Sequence, residues 1–401
     1  MSTDMPHVAI MEAACQRGEI PGAVLVAADA TGKFQYSRAF GQTARGEKLE
    51  VDSTMWLASS TKLMTAVAAL QQVQRGLIGL DDDVSSVLPE AVAQGVLEGW
   101  DSDGQPIIKE REGVITLRLF LSNASGHAHP LYDPAMKTYV DWKGGSSDPR
   151  KPLVKELAVP LTRQPGRGWV YGCGYDWAGK LVERLSGVSL EEYMRANIWE
   201  PLGMKRVSFR PSHPDIQSRK VGMSILNDEG KLVPFTEKYD YQYGEVADAY
   251  GGGGCWGSAE SFLVLLQSLC ANDGKVLSTE LTDEMFRLQL GAESKAELNS
   301  ATRSGTAFSV LFEGSWTAAK QDFDHGLGGL IGLRDEPGRR KAGTMTWCGA
   351  PNLWWFIDRK GCLCGAYFCQ LFPIGSPRTI ELEKVFEADI YKKYADFLGN
   401  N

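Results

Sequence analysis

The spacing of apolar residues changes twice along the chain. Residues 8–17 carry apolar positions at helical spacing, and Pro21-Gly22 then opens a continuous apolar run over 23–28. A turn at Asp29-Ala30-Thr31-Gly32 leads into a second run over 34–40, and two such runs around a short polar break predict a hairpin. From about residue 59 to 290 the helical period dominates, with breaks rich in Gly and Pro. In Thr61–Gln74, for example, Leu63, Ala66, Val67, Leu70 and Val73 share one face before Gly76 ends the segment. Ser189-Leu190-Glu191-Glu192 has the spacing of a capping box, and Ser376-Pro377 places a cap residue and a first-turn proline ahead of a helix over 379–398. Between these two helices the chain returns to β-branched and aromatic runs at 344–348, 353–358 and 362–372, the last two joined by the turn Asp358-Arg359-Lys360-Gly361.

Strands at both ends and helices between them predict an α+β fold. One antiparallel sheet is assembled from the two chain ends and flanked by the terminal helices, and a large helical domain is inserted. Residues 1–58 and 300–401 are expected to form the sheet domain and 59–299 the helical one, with a site at their interface. No repeat and no low-complexity segment interrupts the 401 residues, of which 43% are hydrophobic and 23% charged, as in an ordinary globular enzyme. A net charge of −8 argues against nucleic acid as a partner, because phosphate binders concentrate Lys and Arg on one face. No apolar stretch reaches the roughly 20 residues of a membrane span, and the N-terminus lacks the basic start and apolar run of a signal peptide, so a cytoplasmic location without membrane contact is expected. The eight cysteines form no C-x-x-C pair, and half of them lie in apolar strand-like runs, which predicts buried reduced thiols.

The sharpest local signal is Trp56-Leu57-Ala58-Ser59-Ser60-Thr61-Lys62. Among all serines of the chain, Ser59 alone is followed by lysine at the third position. On a helix, positions three apart are neighbours, so the Ser59 hydroxyl and the Lys62 amine lie together. An alcohol is a weak nucleophile near neutral pH and needs a positioned base, a part that a desolvated lysine can play. A helix N-terminus adds amide donors for a developing oxyanion. A second segment, Gly166-Arg167-Gly168-Trp169-Val170-Tyr171-Gly172-Cys173-Gly174, flanks Tyr171 with glycines that let the loop present its phenol, before a helix that Asp176 can cap. Near a lysine ammonium the phenol is expected to fall below its usual pKa of about 10 and to serve as a base or acid. The third segment, Trp347-Cys348-Gly349-Ala350, ends a predicted strand, where a glycine permits substrate to approach the strand edge.

Ser59-x-x-Lys62, the Tyr171 loop and Trp347-Cys348-Gly349 together resemble, in order and spacing, the serine β-lactamase-like superfamily, on the side of class C enzymes and family VIII esterases. Further phrases carry the resemblance along most of the chain: residues 117–126, 197–204, and Gly251-Gly252-Gly253-Gly254 followed by Cys255-Trp256-Gly257. Trp169-Val170-Tyr171-Gly172 with Asp176-Trp177-Ala178-Gly179, and Gly349-Ala350-Pro351-Asn352-Leu353, are most similar to the fungal acyltransferases that attach the lovastatin side chain. The resemblance implies a β-lactamase/transpeptidase-like fold, Ser59 as the acylated nucleophile, Lys62 and Tyr171 as the acid/base pair, and the amides of Ser59 and Ala350 as the oxyanion hole. Two positions depart from β-lactamases. Cys173 stands where those enzymes carry an Asn after the Tyr, and Trp347-Cys348-Gly349 replaces Lys-Thr-Gly. Loss of that lysine removes the cation that pairs with a substrate carboxylate, which argues against penicillin hydrolysis.

These residues predict transfer of an acyl group, through acyl-Ser59, from an ester or thioester donor to a hydroxyl of a polyketide-like metabolite. A small-ester carboxylesterase is the alternative, and a non-catalytic binding protein of the same fold is a second. The expected partners are an acyl-CoA or carrier-protein thioester, a docking carrier protein, and a hydroxylated acceptor, with no cofactor. Trp347, Cys348, Gly349, Cys173, His127 and Tyr132 are expected at the substrate-binding surface. His127-Ala128-His129 has the spacing of some metal ligands but lacks further ligand residues, so no metal is expected. Asp81-Asp82-Asp83 reads as a solvated turn. Arg339-Arg340-Lys341 reads as a solvent-exposed run, with the phosphates of coenzyme A or of a carrier arm as the functional alternative.

Overall fold

The strand β1 (Gly22–Asp29) is buried along its whole length, so its side chains must serve two cores at once. Alternation does this: Val24, Val26 and Ala28 enter one apolar cluster, while Ala23, Leu25 and Ala27 enter the other. The computed structural model describes residues 6–145, 151–235, 246–304, 309 and 322–399. In it β1 joins one sheet with β2 (Gln35–Gly41) and with strands from the far end of the chain: β3 (Phe323–His325), β4 (Leu330–Gly332), β5 (Met345–Gly349), β6 (Leu353–Asp358) and β7 (Leu363–Phe368). The sheet order is β2-β1-β7-β6-β5-β4-β3, and each neighbouring pair is antiparallel. Val26 stands opposite Ala366, and Trp347 opposite Trp355. On β6, Trp354 and Phe356 face one cluster and Trp355 and Ile357 the other, the same period-two division as on β1.

One face of the sheet is covered by the terminal helices α1 (Pro6–Gln16) and, at the C-terminus, a helix over Pro377–Gly399. His7 at the start of α1 ties the layers together: its backbone N–H donates to Asp389 at 2.7 Å, and Nε2 lies 2.6 Å from the Tyr36 hydroxyl. The other face receives a helix over Ala259–Ala271 and, beyond it, the helical part of the chain. Helix α2 (Thr61–Gln74) packs there against a helix over Gly174–Ser186, here α3, whose C-terminus is closed by Gly187 in the left-handed region. The capping box at Ser189 forms with both reciprocal hydrogen bonds. Among the described residues no helix is long and apolar enough to cross a membrane.

Three sequence expectations are corrected. The run over 362–372 is not one strand. β7 ends at Phe368, the side chain of Gln370 turns in to bond both backbone groups of Trp56, and Leu371–Phe372 pairs in parallel with Ser224–Leu226 in a separate sheet. Asp176 does not cap α3, whose N-cap is Cys173 without a side-chain bond. Arg339 and Arg340 are neither exposed nor free for phosphate. Arg340 is fully buried, lies 5.0 Å from the centroid of the Trp354 ring and pairs with Glu387 of the C-terminal helix, to which Arg339 also donates at 2.7 Å. Lys341 faces solvent beside Asp335. The aspartate run at 81–83 is exposed as expected, yet engaged: Asp81 accepts both ends of the Arg118 guanidinium, and Asp83 caps a short helical turn. All eight cysteines are free thiols, and six of them are buried.

The arginine pair locks the C-terminal helix to the sheet through one carboxylate. Removing that carboxylate strands the buried guanidinium of Arg340 and leaves Arg339 with Glu336, so Glu387→Ala is expected to lower stability by about 3–5 kcal/mol. The measurement is the urea midpoint, with an unchanged slope showing that the unfolded reference is the same.

Candidate active site

The turn that carries Ser59 is built from a strained backbone. Ala58 adopts φ +45°, a left-handed conformation that costs a non-glycine residue about 1–3 kcal/mol and persists only where the surroundings enforce it. The enforcement is visible on both sides. Met55–Trp56 pairs with Trp256–Gly257, and the Leu57 N–H donates to the Cys255 carbonyl at 2.9 Å, which draws the glycine run 251–254 alongside. On the other side, the end of β5 presses on the turn. A Cβ added at Gly349 would lie 2.6 Å from the Leu57 carbonyl, so the glycine there admits the turn that carries Ser59 rather than substrate. Ala58–Ser60 form one 3-10 turn that runs directly into α2.

This framework brings three side chains together. The Ser59 and Tyr171 hydroxyl oxygens are 2.5 Å apart, and the Lys62 amine donates to Ser59 at 3.2 Å. The same amine donates to the Gly252 carbonyl at 2.5 Å and lies 4.7 Å from the centroid of the Tyr171 ring. Tyr171 is held by flanking rings, Tyr132 at 4.9 Å and Trp347 at 5.5 Å between centroids. Its loop is anchored by a bridge between Gly172 and Ala128.

Burial governs the charge states. It pulls the Lys62 amine down to about 8, with Asp176 the largest opposing influence. It drives the Tyr171 phenol well above its ordinary value, opposed in part by the hydrogen bond with Ser59. The expectation that lysine would lower the tyrosine is therefore reversed: desolvation outweighs a neighbouring cation that is itself pushed toward neutrality. The site therefore holds a neutral phenol able to donate a proton and a lysine able to accept one once the pH exceeds about 8, well below the ordinary lysine range.

The three groups open onto a cavity of about 230 Å³ whose lining includes Trp56, Tyr132, Phe209, Tyr250, Trp256 and Ala350. Of the other residues expected at the binding surface, Trp347 lies behind Tyr171 as a packing ring, and Cys348 and Gly349 are within the buried strand β5. Cys173 and His127 line a neighbouring cavity of about 290 Å³. Both ring nitrogens of His127 are engaged, by Ala91 and Ser125, and burial lowers its pKa to about 4. It is His129, also lowered to about 4 by burial, that reaches the cavity beside Ser59. Among the described residues no group of three or more His, Cys, Asp or Glu side chains is placed to hold a metal ion. Sequence reasoning missed Asp176 as a lining residue and the Gly252 carbonyl as the acceptor for Lys62. The four consecutive glycines were the available signal, since a backbone that must pass close to a buried amine has no room for side chains.

A hydroxyl, an amine and a phenol converge beside the end of β5 and the start of α2, and the chain belongs to the beta-lactamase family. Residues 8–389 match the family model described as beta-lactamase. Among its relatives, the chain is 38% identical to a lovastatin esterase of Penicillium rubens, over 97% of this chain and 98% of the relative. It is 36% identical to a monacolin J acid methylbutanoyltransferase of Aspergillus terreus, over 96% of each. Among solved structures it is similar to a variant of simvastatin synthase from Aspergillus terreus, at a TM-score of 0.89 and 35% identity, covering 97% of this chain and 95% of that one.

Proposed function

We propose that the protein is a serine acyltransferase that moves a short acyl group from a thioester donor to a hydroxyl of a polyketide, through an acyl-Ser59 intermediate. The observation that carries this reading is the contact of the Ser59 hydroxyl with both Tyr171 and Lys62 at the floor of an aromatic-lined cavity. The transferase name of one relative and the synthase name of a structural neighbour support it. In the first half-reaction the Ser59 proton passes to the Lys62 amine while Oγ attacks the donor carbonyl. The oxyanion of the tetrahedral intermediate rests on the amides of Ser59 and Ala350. Collapse breaks the carbon–sulfur bond, and the departing thiolate takes a proton from Tyr171 or the lysine. In the second half an acceptor hydroxyl loses its proton to the same pair and attacks the acyl carbon. The new ester leaves and the Ser59 hydroxyl is restored. The donor is an acyl-CoA or an acyl group on a carrier protein.

Hydrolysis is the second reading, favoured by the relative named as an esterase. Transfer and hydrolysis share the acyl-enzyme and differ in the nucleophile that ends it. Incubation with an acyl thioester, with and without a hydroxylated polyketide, separates them by product. An acylated polyketide formed at the expense of free acid supports the transferase, whereas free acid alone, unchanged by the acceptor, overturns it in favour of the esterase.

The charge states fix a pH dependence. Lys62 is protonated below about pH 8 and cannot accept the Ser59 proton there, so kcat/KM is expected to climb tenfold per pH unit on the acid side and level off above about 8. Because burial holds Tyr171 protonated well past the usual tyrosine range, its ionisation contributes no falling limb near pH 10. A pH profile of single-turnover acylation reads both features.

A further inference from the structure

Asp176 sits in the first turn of α3, where an acid is ordinarily a helix-terminal residue satisfying the amides of its own helix. Its environment here is different. The residue is 7% exposed, and its Oδ1 accepts the Gly252 N–H at 2.8 Å on a segment remote in sequence. The carbonyl of the same Gly252 accepts the Lys62 amine at 2.5 Å. A Cβ at Gly252 would lie 2.6 Å from Asp176 Oδ2, so the glycine is what lets the carboxylate close on this backbone. Asp176 also lines the cavity that Ser59 faces.

We infer that Asp176 is a positioning residue for Lys62: through Gly252 it aims the amine at Ser59, and its carboxylate supplies the counter-charge when that amine takes the serine proton. The inference rests on the assignment of Lys62 as proton acceptor made above. During the step the proton leaves Ser59 Oγ and turns a neutral amine into an ammonium ion inside an apolar wall, a charge that desolvation opposes. Several elements present groups to that ammonium. α3 contributes Asp176 and the Tyr175 phenol, whose ring centroid lies 5.7 Å away. The loop before α3 contributes Tyr171 and the Cys173 thiol, β5 contributes the Cys348 thiol, and the loop at 129 contributes an imidazole. Burial holds the phenols and thiols protonated and the imidazole neutral, which leaves Asp176 as the carboxylate that Lys62 senses most. Tyr250, also raised by burial, faces Asp176 itself.

The test is the pH profile of Ser59 acylation by an acyl thioester in Asp176→Asn, which keeps an acceptor for the Gly252 N–H and removes the charge. The ammonium form of Lys62 then loses its counter-ion, so the amine releases its proton more readily and the rising limb of kcat/KM is expected to move to lower pH by about one unit. The fall in rate on the plateau is expected in kcat rather than KM, because Asp176 acts through Lys62. Gly252→Ala reaches the same carboxylate from the other side by displacing it, and is expected to move the limb in the same direction should the first variant not fold. A limb that stays in place in a folded variant overturns the positioning role. If the unaltered protein acylates Ser59 and only the limb fails to move, the proposed function stands without this inference. If the unaltered protein is never acylated at Ser59, both fall.

Discussion

Ser59→Ala is expected to lose acyl transfer by about four orders of magnitude or more, with substrate binding retained. Removing the nucleophile removes the covalent path, and what remains is whatever the oxyanion donors and cavity can do for direct attack by the acceptor. The change deletes one oxygen at the surface of the cavity, so the fold should be untouched. The relevant comparison is single-turnover rate against equilibrium binding of the donor. A variant that bound donor normally and kept even a tenth of the rate would show that the oxygen accepting the acyl group is not this one.

Lys62→Met is expected to lower kcat by about 10²–10⁴-fold, the usual contribution of a positioned general base. It also carries a stability signature. The folded protein holds Lys62 at about 8 against an ordinary value of 10.5, so folding disfavours the ammonium form. That cost is fully present below pH 8 and fades as pH rises from 8 to 10.5, because the folded amine is by then neutral and the protonation that favours the unfolded chain weakens until both states are neutral. An apolar side chain of similar length has no such cost, so the variant should be more stable near pH 7, by up to about 3 kcal/mol, less whatever the bond to Gly252 contributes. The gain should shrink as pH rises toward 10. A loss of rate with a pH-dependent gain of stability is the pattern of a lysine kept for chemistry; equal losses of both would mark it as a structural residue.

Much of the sheet was legible because its strands follow elementary patterns. The continuous apolar run on β1 marks a strand buried on both faces, and the capping box at Ser189 and the proline after Ser376 announce helix starts with a mechanism attached. The proximity of Ser59 and Lys62 was legible for the same reason, since helical spacing alone makes them neighbours. What local pattern did not reveal is depth. A run of Arg339, Arg340 and Lys341 is charged in any register, and only the fold shows that Arg340 is buried against Trp354 and that it and Arg339 both pair with Glu387. Depth also reversed the tyrosine: on paper a lysine lowers a phenol, but both groups are out of water and desolvation decides. Sequence alone makes Asp176 a cap, because its partner at Gly252 lies on a distant loop. The sequence at Gly349 suggests room for substrate, because the approach of the turn at Leu57 depends on how β5 docks, which no stretch of sequence contains.

The convergence of Ser59, Lys62 and Tyr171 is tested most directly by trapping the acyl-enzyme. The protein is mixed with a short-chain acyl thioester without acceptor, quenched in acid, and digested for mass mapping. The expected result is one acyl group per chain on the peptide containing Ser59, discharged as ester when a hydroxylated polyketide is added before the quench. An acyl group carried stably on any other residue, or turnover of the donor with no covalent intermediate at Ser59, would contradict it.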